Sequence, residues 1–143
     1  MKRNLIIVGL GIVFLIVMTF IGTVVTEILP HRPTPRVQTA QAGSYQITLQ
    51  VDPNPPSITQ PANLSLQIVH SASRQLVTNA RVTLESTMVS MDMGSDRTDA
   101  QMQSAGIYLA HVQFSMGGSW QIRVIVATPG AQTESTTFEV VAQ

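Results

Sequence analysis

Five of the seven methionines in this chain fall within one stretch of its C-terminal two-thirds, at Met88, Met91, Met93, Met102 and Met116. Three of them are packed into 88–93 (MVSMDM), followed by Gly94 and a polar run, GSDRTD, that reads as a loop. In extended backbone Met91 and Met93 project to the same side, and Met88 can join them across a bend. Thioethers are soft, uncharged ligands that favour Cu(I), and a neutral imidazole often completes such a site. His111 and His70 are the imidazoles within reach of the same argument. The competing reading is that methionine, flexible and polarizable, fills irregular space in a core, so that a plug of three would close one end of a domain.

Other chemistries find no support. The chain has no cysteine, which removes disulfides, thiolate metal sites and thiol catalysis together. Asp92, Asp96 and Asp99 lack the spacing of a twelve-residue calcium loop and have no flanking helices, so they read as a solvated acidic loop. Serines are plentiful, yet none stands in a nucleophile elbow, no phosphate-cradling glycine loop occurs, and no acid–base pair can be assembled. No enzyme is expected. Charged residues make up 11% of the chain and the net charge is zero, so no basic field is available to gather nucleic acid. From Gly43 onward four arginines face seven acids, a net charge of minus three.

The elements that position the methionines are strands. Segments 45–51 (YQITLQV) and 63–70 (NLSLQIVH) alternate apolar and polar residues, and 80–86, 107–114, 120–127 and 133–141 supply four more. Glycines at 117, 118 and 130 mark two short connections, which predicts that the last three strands run consecutively and antiparallel. Tyr108 and Trp120, each two residues after a glycine at the start of a strand, are expected core anchors. Six to seven short strands in about 100 residues point to an all-β, immunoglobulin-like β-sandwich.

A membrane anchor precedes this domain. Residues 5–26 form an uncharged run of 22, long enough at 1.5 Å per residue to cross a hydrocarbon core of about 30 Å. Lys2 and Arg3 before it place the N-terminus in the cytoplasm and the C-terminal domain outside, periplasmic in a two-membrane cell. Ala40-Gln41-Ala42 has the small-x-small form of a signal-peptidase site, but it lies some 16 residues past an apolar run already too long for a secretory signal. The expected organisation is therefore a cytoplasmic N-terminus and single transmembrane helix over 1–29, an extended proline-containing linker over 30–44, and the sandwich over 45–143.

The run Met88, Met91, Met93, then Gly106-x-Tyr108, then Phe114-Ser115-Met116, Gly118-x-Trp120 and 122–126 resembles the YtkA-like domain, which is related to the FixH family. The resemblance covers roughly 45–141. It implies an extracytoplasmic immunoglobulin-like domain linked with copper handling or with assembly of haem-copper oxidases, and thus a membrane-protein partner such as an oxidase or respiratory complex. By that analogy Met88, Met91, Met93, Met102, Met116 and His111 are the candidate copper ligands. Members often carry histidine beside the methionine loop, whereas here the neighbours are Ser90, Asp92 and Ser95. A different use of the same features is a structural subunit of a membrane respiratory or photosynthetic complex, with the methionines as adaptable contact surface.

Overall fold

The computed structural model describes residues 11–19, 33–92 and 94–143. Two compact units divide between His31 and Arg32. In the first, residues 11–19 are helical, and the apolar side chains from Ile12 to Met18 are exposed. The Thr19 hydroxyl donates back to the carbonyls of Leu15 and Ile16, which keeps its one polar group inside the helix. No helix among the described residues is long and apolar enough to cross a membrane. The apolar run at 5–26 lies largely outside the described residues.

The second unit is all-β. Its strands are β1 (Val37–Ala42), β2 (Tyr45–Asp52), β3 (Ala62–His70), β4 (Arg81–Met88), β5 (Ser95–Ser104), β6 (Ile107–Val112), β7 (Gly118–Ala127) and β8 (Glu134–Ala142). All pairings are antiparallel, in the order β1-β2-β3-β6-β5-β4-β7-β8. The two edges approach one another, and the Gln38 side chain donates to the Glu139 carbonyl at 2.7 Å across the gap, so the sheet is nearly a closed barrel. β5 is the corner. Ser95–Ala100 pair with β4, whereas Gln101–Ser104 pair with β6, with a bulge between Met102 and Ser104. A strand that changes partner part-way along is one way a sheet turns through a large angle.

Alternation drives this arrangement. Ile47, Leu49 and Val51 of β2, Leu64, Leu66 and Ile68 of β3, Val82 and Leu84 of β4, and Ile122, Val124 and Val126 of β7 all face one interior and are almost wholly buried. Tyr108 and Trp120 are buried there as expected. Three expectations need correction. The stretch read as a linker contributes β1, a strand of small and polar residues that pairs along its whole length with β2 and leaves only the residues before it as a connection. The polar run after Gly94 is not a loop but the start of β5, held by directly opposed cross-strand pairs Glu85–Arg97 and Thr83–Asp99. The connection after β6 is not a hairpin, because β6 pairs with β3 and β7 with β4, so that 113–117 crosses between them.

The register defines two ends of the unit. At one, which we call the tyrosine end, lie Tyr45, His70, Leu76, Tyr108 and Thr128. At the other, the methionine end, lie Thr34, Ile58, Met88, Met116, Trp120 and the last residues of β8.

Candidate metal centre

Met88 is the last residue of β4 and, following Val82, Leu84 and Ser86, points inward; it is 6% exposed. Directly across the ladder stands Trp120 of β7. Gly118 makes room for this methionine. Its φ is +135°, and a Cβ there would come to 3.0 Å from the Met88 Cε, tighter than almost any real contact. The Trp120 ring meets Phe114 edge-on at 5.4 Å between centroids, and its Nε1 donates to the Met116 carbonyl at 3.0 Å. That bond holds the 113–117 crossover in place and sets the Met116 side chain, half-buried, against the core.

Beyond Met88 the ladder continues by one bond, from Val89 N to the Ser119 carbonyl at 2.9 Å, and then the chain turns away. Val89 and Met91 are 54% and 51% exposed. Residues 87–92 together with Gln121 line an open depression of about 360 Å³. A buried thioether, a half-buried one and an exposed one are therefore carried by neighbouring segments at the same end. Met93 lies outside the described residues.

The remaining candidates are elsewhere. Ser95 is opposite Thr87, and Met102 lies seven residues further along β5, roughly 23 Å at the rise of an extended strand. Met102 is paired with Tyr108, away from Met88, and is 52% exposed. His111 alternates with the inward-facing Tyr108, Ala110 and Val112, so its exposed ring points out of the sheet, whereas Met88 points in. His70 packs its ring against Tyr45, with centroids 5.1 Å apart, at the tyrosine end. A single first coordination shell cannot contain Met88, Met102 and His111 together.

The three aspartates do not converge either. Asp99 accepts from the Thr83 hydroxyl at 2.7 Å and from Arg81 at 2.9 Å on the outer face of the sheet, and these bonds, the Thr83 one first, hold its carboxyl below the usual carboxylate range. Among the described residues no group of three or more His, Cys, Asp or Glu side chains could hold a metal ion.

The residues that build this end without being ligands were not singled out by composition: Gly118, whose missing side chain admits Met88, and Phe114, which braces Trp120. Their traces in the sequence were the spacing Phe114, Met116, Gly118, Trp120 and the reading of Gly118 as a turn glycine. Comparison with known proteins bears on the same segment. A family model described as YtkA-like matches residues 39–125, a span that runs from β1 into β7 and contains every candidate methionine and His111. Among solved structures, the crystal structure of a DUF4426 family protein from Pseudomonas aeruginosa PAO1 is similar, with a TM-score of 0.50 and 11% identity over 73% of this chain and 94% of that one. At that identity the likeness is one of fold. No curated protein matches the chain.

Proposed function

The chain belongs to the YtkA-like family, and from that premise we propose that it is a membrane-anchored, extracytoplasmic accessory protein that binds Cu(I) through thioethers and passes it to a membrane-protein partner. The observation that supports this reading is the placement of Met88, Met91 and Met116 at one end of the domain, Met88 opposite Trp120, the Met116 carbonyl bonded to the indole, and Met91 exposed on the segment after β4. Thioether donors without thiolate or clustered carboxylate suit Cu(I) and discriminate against Cu(II) and Zn(II). The mechanism is ligand exchange. Met91, with Met93 two residues on, is the accessible donor from which a partner could take the ion; Met88 is buried and Met116 half-buried, so they are the less accessible donors.

In this reading residues 5–26 form the single span, and the domain is an immunoglobulin-like sandwich whose two layers are joined by β5. The exposed apolar helix at 11–19 is in keeping with a lipid environment. Delivery to a haem-copper oxidase is one version of the partner, and the FixH relation suggested by the sequence motif favours it.

The test is titration of Cu(I) against a competing chelator, under reducing conditions, with the full chain in detergent. A soluble fragment has to start before Thr34, since Thr34 and Arg36 bond to the body of the domain and β1 follows them. One-to-one binding that is lost in Met91→Leu/Met93→Leu, with the fold kept, supports the site; affinity equal to that of the parent rejects it. The alternative, a structural subunit whose methionine end is contact surface, draws on the exposure of Ile58, Val89 and Met91. It predicts extraction in mild detergent as part of a large complex.

A further inference from the structure

β1 and β8 stand at the two ends of the strand order, yet they run side by side with no ladder between them. Three contacts fix how they are aligned. The Gln38 amide donates to the Glu139 carbonyl at 2.7 Å, and the Val141 N–H donates to the Thr34 hydroxyl at 3.4 Å. The Glu134 carboxylate lies against Gly43, where any side chain would collide with it. Residue numbers rise on one edge as they fall on the other, so the edges are antiparallel and keep a nearly constant register.

Their main-chain groups are already aimed at one another. The Arg36 carbonyl accepts from Val51 N, so the β1 groups bonded to β2 recur at every second residue, and those of Val37, Thr39 and Gln41 point the other way. On β8 the Glu139 carbonyl and the Val141 N–H point away from β7, and by the same alternation so do the groups of Ser135 and Thr137. The three contacts then set Val37, Thr39 and Gln41 opposite Glu139, Thr137 and Ser135. This is an antiparallel pairing left unzipped, with side chains bridging the gap.

We propose that the seam is a latch: the barrel shuts by zipping β1 to β8 in that register, and Gln38 holds it ajar by occupying the Glu139 carbonyl that the Val37 N–H would use. β1 is the part that moves. It turns only Gln38, Ala40 and Ala42 inward, whereas β8 pairs with β7 along its whole length and buries Phe138 and Val140. The seam reaches the methionine end through β8, because Val140, flanked by Glu139 and Val141, lies opposite Trp120, whose indole ties Met116. Closure therefore reshapes the wall of the end that carries the thioethers. The latch goes beyond copper binding and does not depend on it, so its test is made without copper.

The chain has no cysteine, and Thr39 and Thr137 are exposed, so a designed pair reads the seam in the full chain in detergent. Zipping brings their Cα atoms to about 5.5 Å, within the span of a disulfide, so Thr39→Cys/Thr137→Cys should cross-link under mild oxidation. Gln41→Cys/Glu139→Cys, four residues out of that register and roughly 13 Å apart, should do so at least about ten times more slowly. Hydrogen exchange gives the sign. In the parent about half of the amides in 37–42, those facing the gap, should exchange fast, while the half bonded to β2 stays slow and reports that the fold is kept. In the cross-linked pair, and in Gln38→Ala, which frees the Glu139 carbonyl, the fast half should slow by about tenfold or more. The emission of Trp120, the one tryptophan, should shift with it. Faster exchange in Gln38→Ala would mean that this side chain holds the edges together, and overturns the latch. So does a parent in which every amide of 37–42 is already slow, equal cross-linking of the two cysteine pairs, or Trp120 emission unmoved by the cross-link.

Discussion

The two ends of this small barrel are closed by different means. At the tyrosine end the Tyr108 hydroxyl donates to the Val77 carbonyl at 2.9 Å and accepts from Ala80 N at 3.3 Å, and the Tyr45 hydroxyl is bonded to Thr128 at 2.8 Å. Those directional bonds tie the turns to the rings and permit one arrangement. At the methionine end bonds such as Ile58 N to the Gln143 carbonyl and Gln143 N to the Pro56 carbonyl tie the surrounding backbone, but the inward plug is Met88, Phe114 and Trp120, in which the indole donates to the Met116 carbonyl and the Met88 thioether packs by contact. A closure made of polar bonds specifies position. One made of a thioether against an aromatic tolerates movement, because a methionine has several rotamers of similar energy and a polarizable sulfur. If this end takes up and releases an ion as proposed, the second construction suits it.

The largest effect on this contrast should come from Trp120→Ala, which empties the methionine end of its main side chain and cuts the bond to Met116. Thermal unfolding is expected to show a loss of about 3–5 kcal/mol, typical of removing a buried aromatic. Tyr108→Phe should cost about 1–3 kcal/mol, since it keeps the ring and leaves Val77 O and Ala80 N without their partner. If it costs as much as Trp120→Ala, the two ends are closed with equal strength and the comparison fails.

A chemical probe sharpens it further. Dilute peroxide, followed by peptide mass analysis, should convert Met91 and Met102 to sulfoxides well before Met88, because the first two are half exposed and the third is buried. With Cu(I) present, Met91 should be protected and Met102 should not. Protection of Met102 would put a ligand at the tyrosine end and dismantle the site as drawn. In the same vein Met102→Leu is expected to leave Cu(I) affinity unchanged in the chelator titration, the swap being nearly isosteric and remote from Met88.

The smallest effect concerns Asp99, which braces β5 between the two ends. Its carboxyl is held below the usual range by Thr83 first and Arg81 second. A depressed folded-state value means that the contribution to stability is present above the unfolded-chain value and is lost as pH falls through the folded one. Thr83→Val should therefore cost a little stability at neutral pH and almost none at low pH, which flattens the acid limb of a stability-versus-pH profile measured in denaturant. An unaltered acid limb would show that the Thr83 hydroxyl contributes nothing to β5.

Much of the fold was legible because alternation of apolar and polar residues carries it. β2, β3, β4, β7 and β8 fall within one or two residues of where that pattern puts them, and the burial of Tyr108 and Trp120 follows from their places at strand starts. β1 and β5 were not legible. VQTAQA and SDRTDAQMQS have few large apolar residues, and strand formation there depends on partners: β2 for the first, and for the second β4 with its opposed charges, then β6. Local preference is silent where pairing supplies the stabilisation.

For the site, the sequence by itself determined the donor chemistry: thioethers and imidazoles, no thiolate, and three methionines within six residues. It also determined family membership, over residues 39–125. Only the tertiary structure decided which donors meet. Strand register is a long-range property, so it alone sets Met88 opposite Trp120, whose indole ties the Met116 carbonyl, places Met102 opposite Tyr108 at the other end, and turns His111 to the outer face. A side chain's type is written at its own position; its neighbours are set by how strands far apart in the chain align.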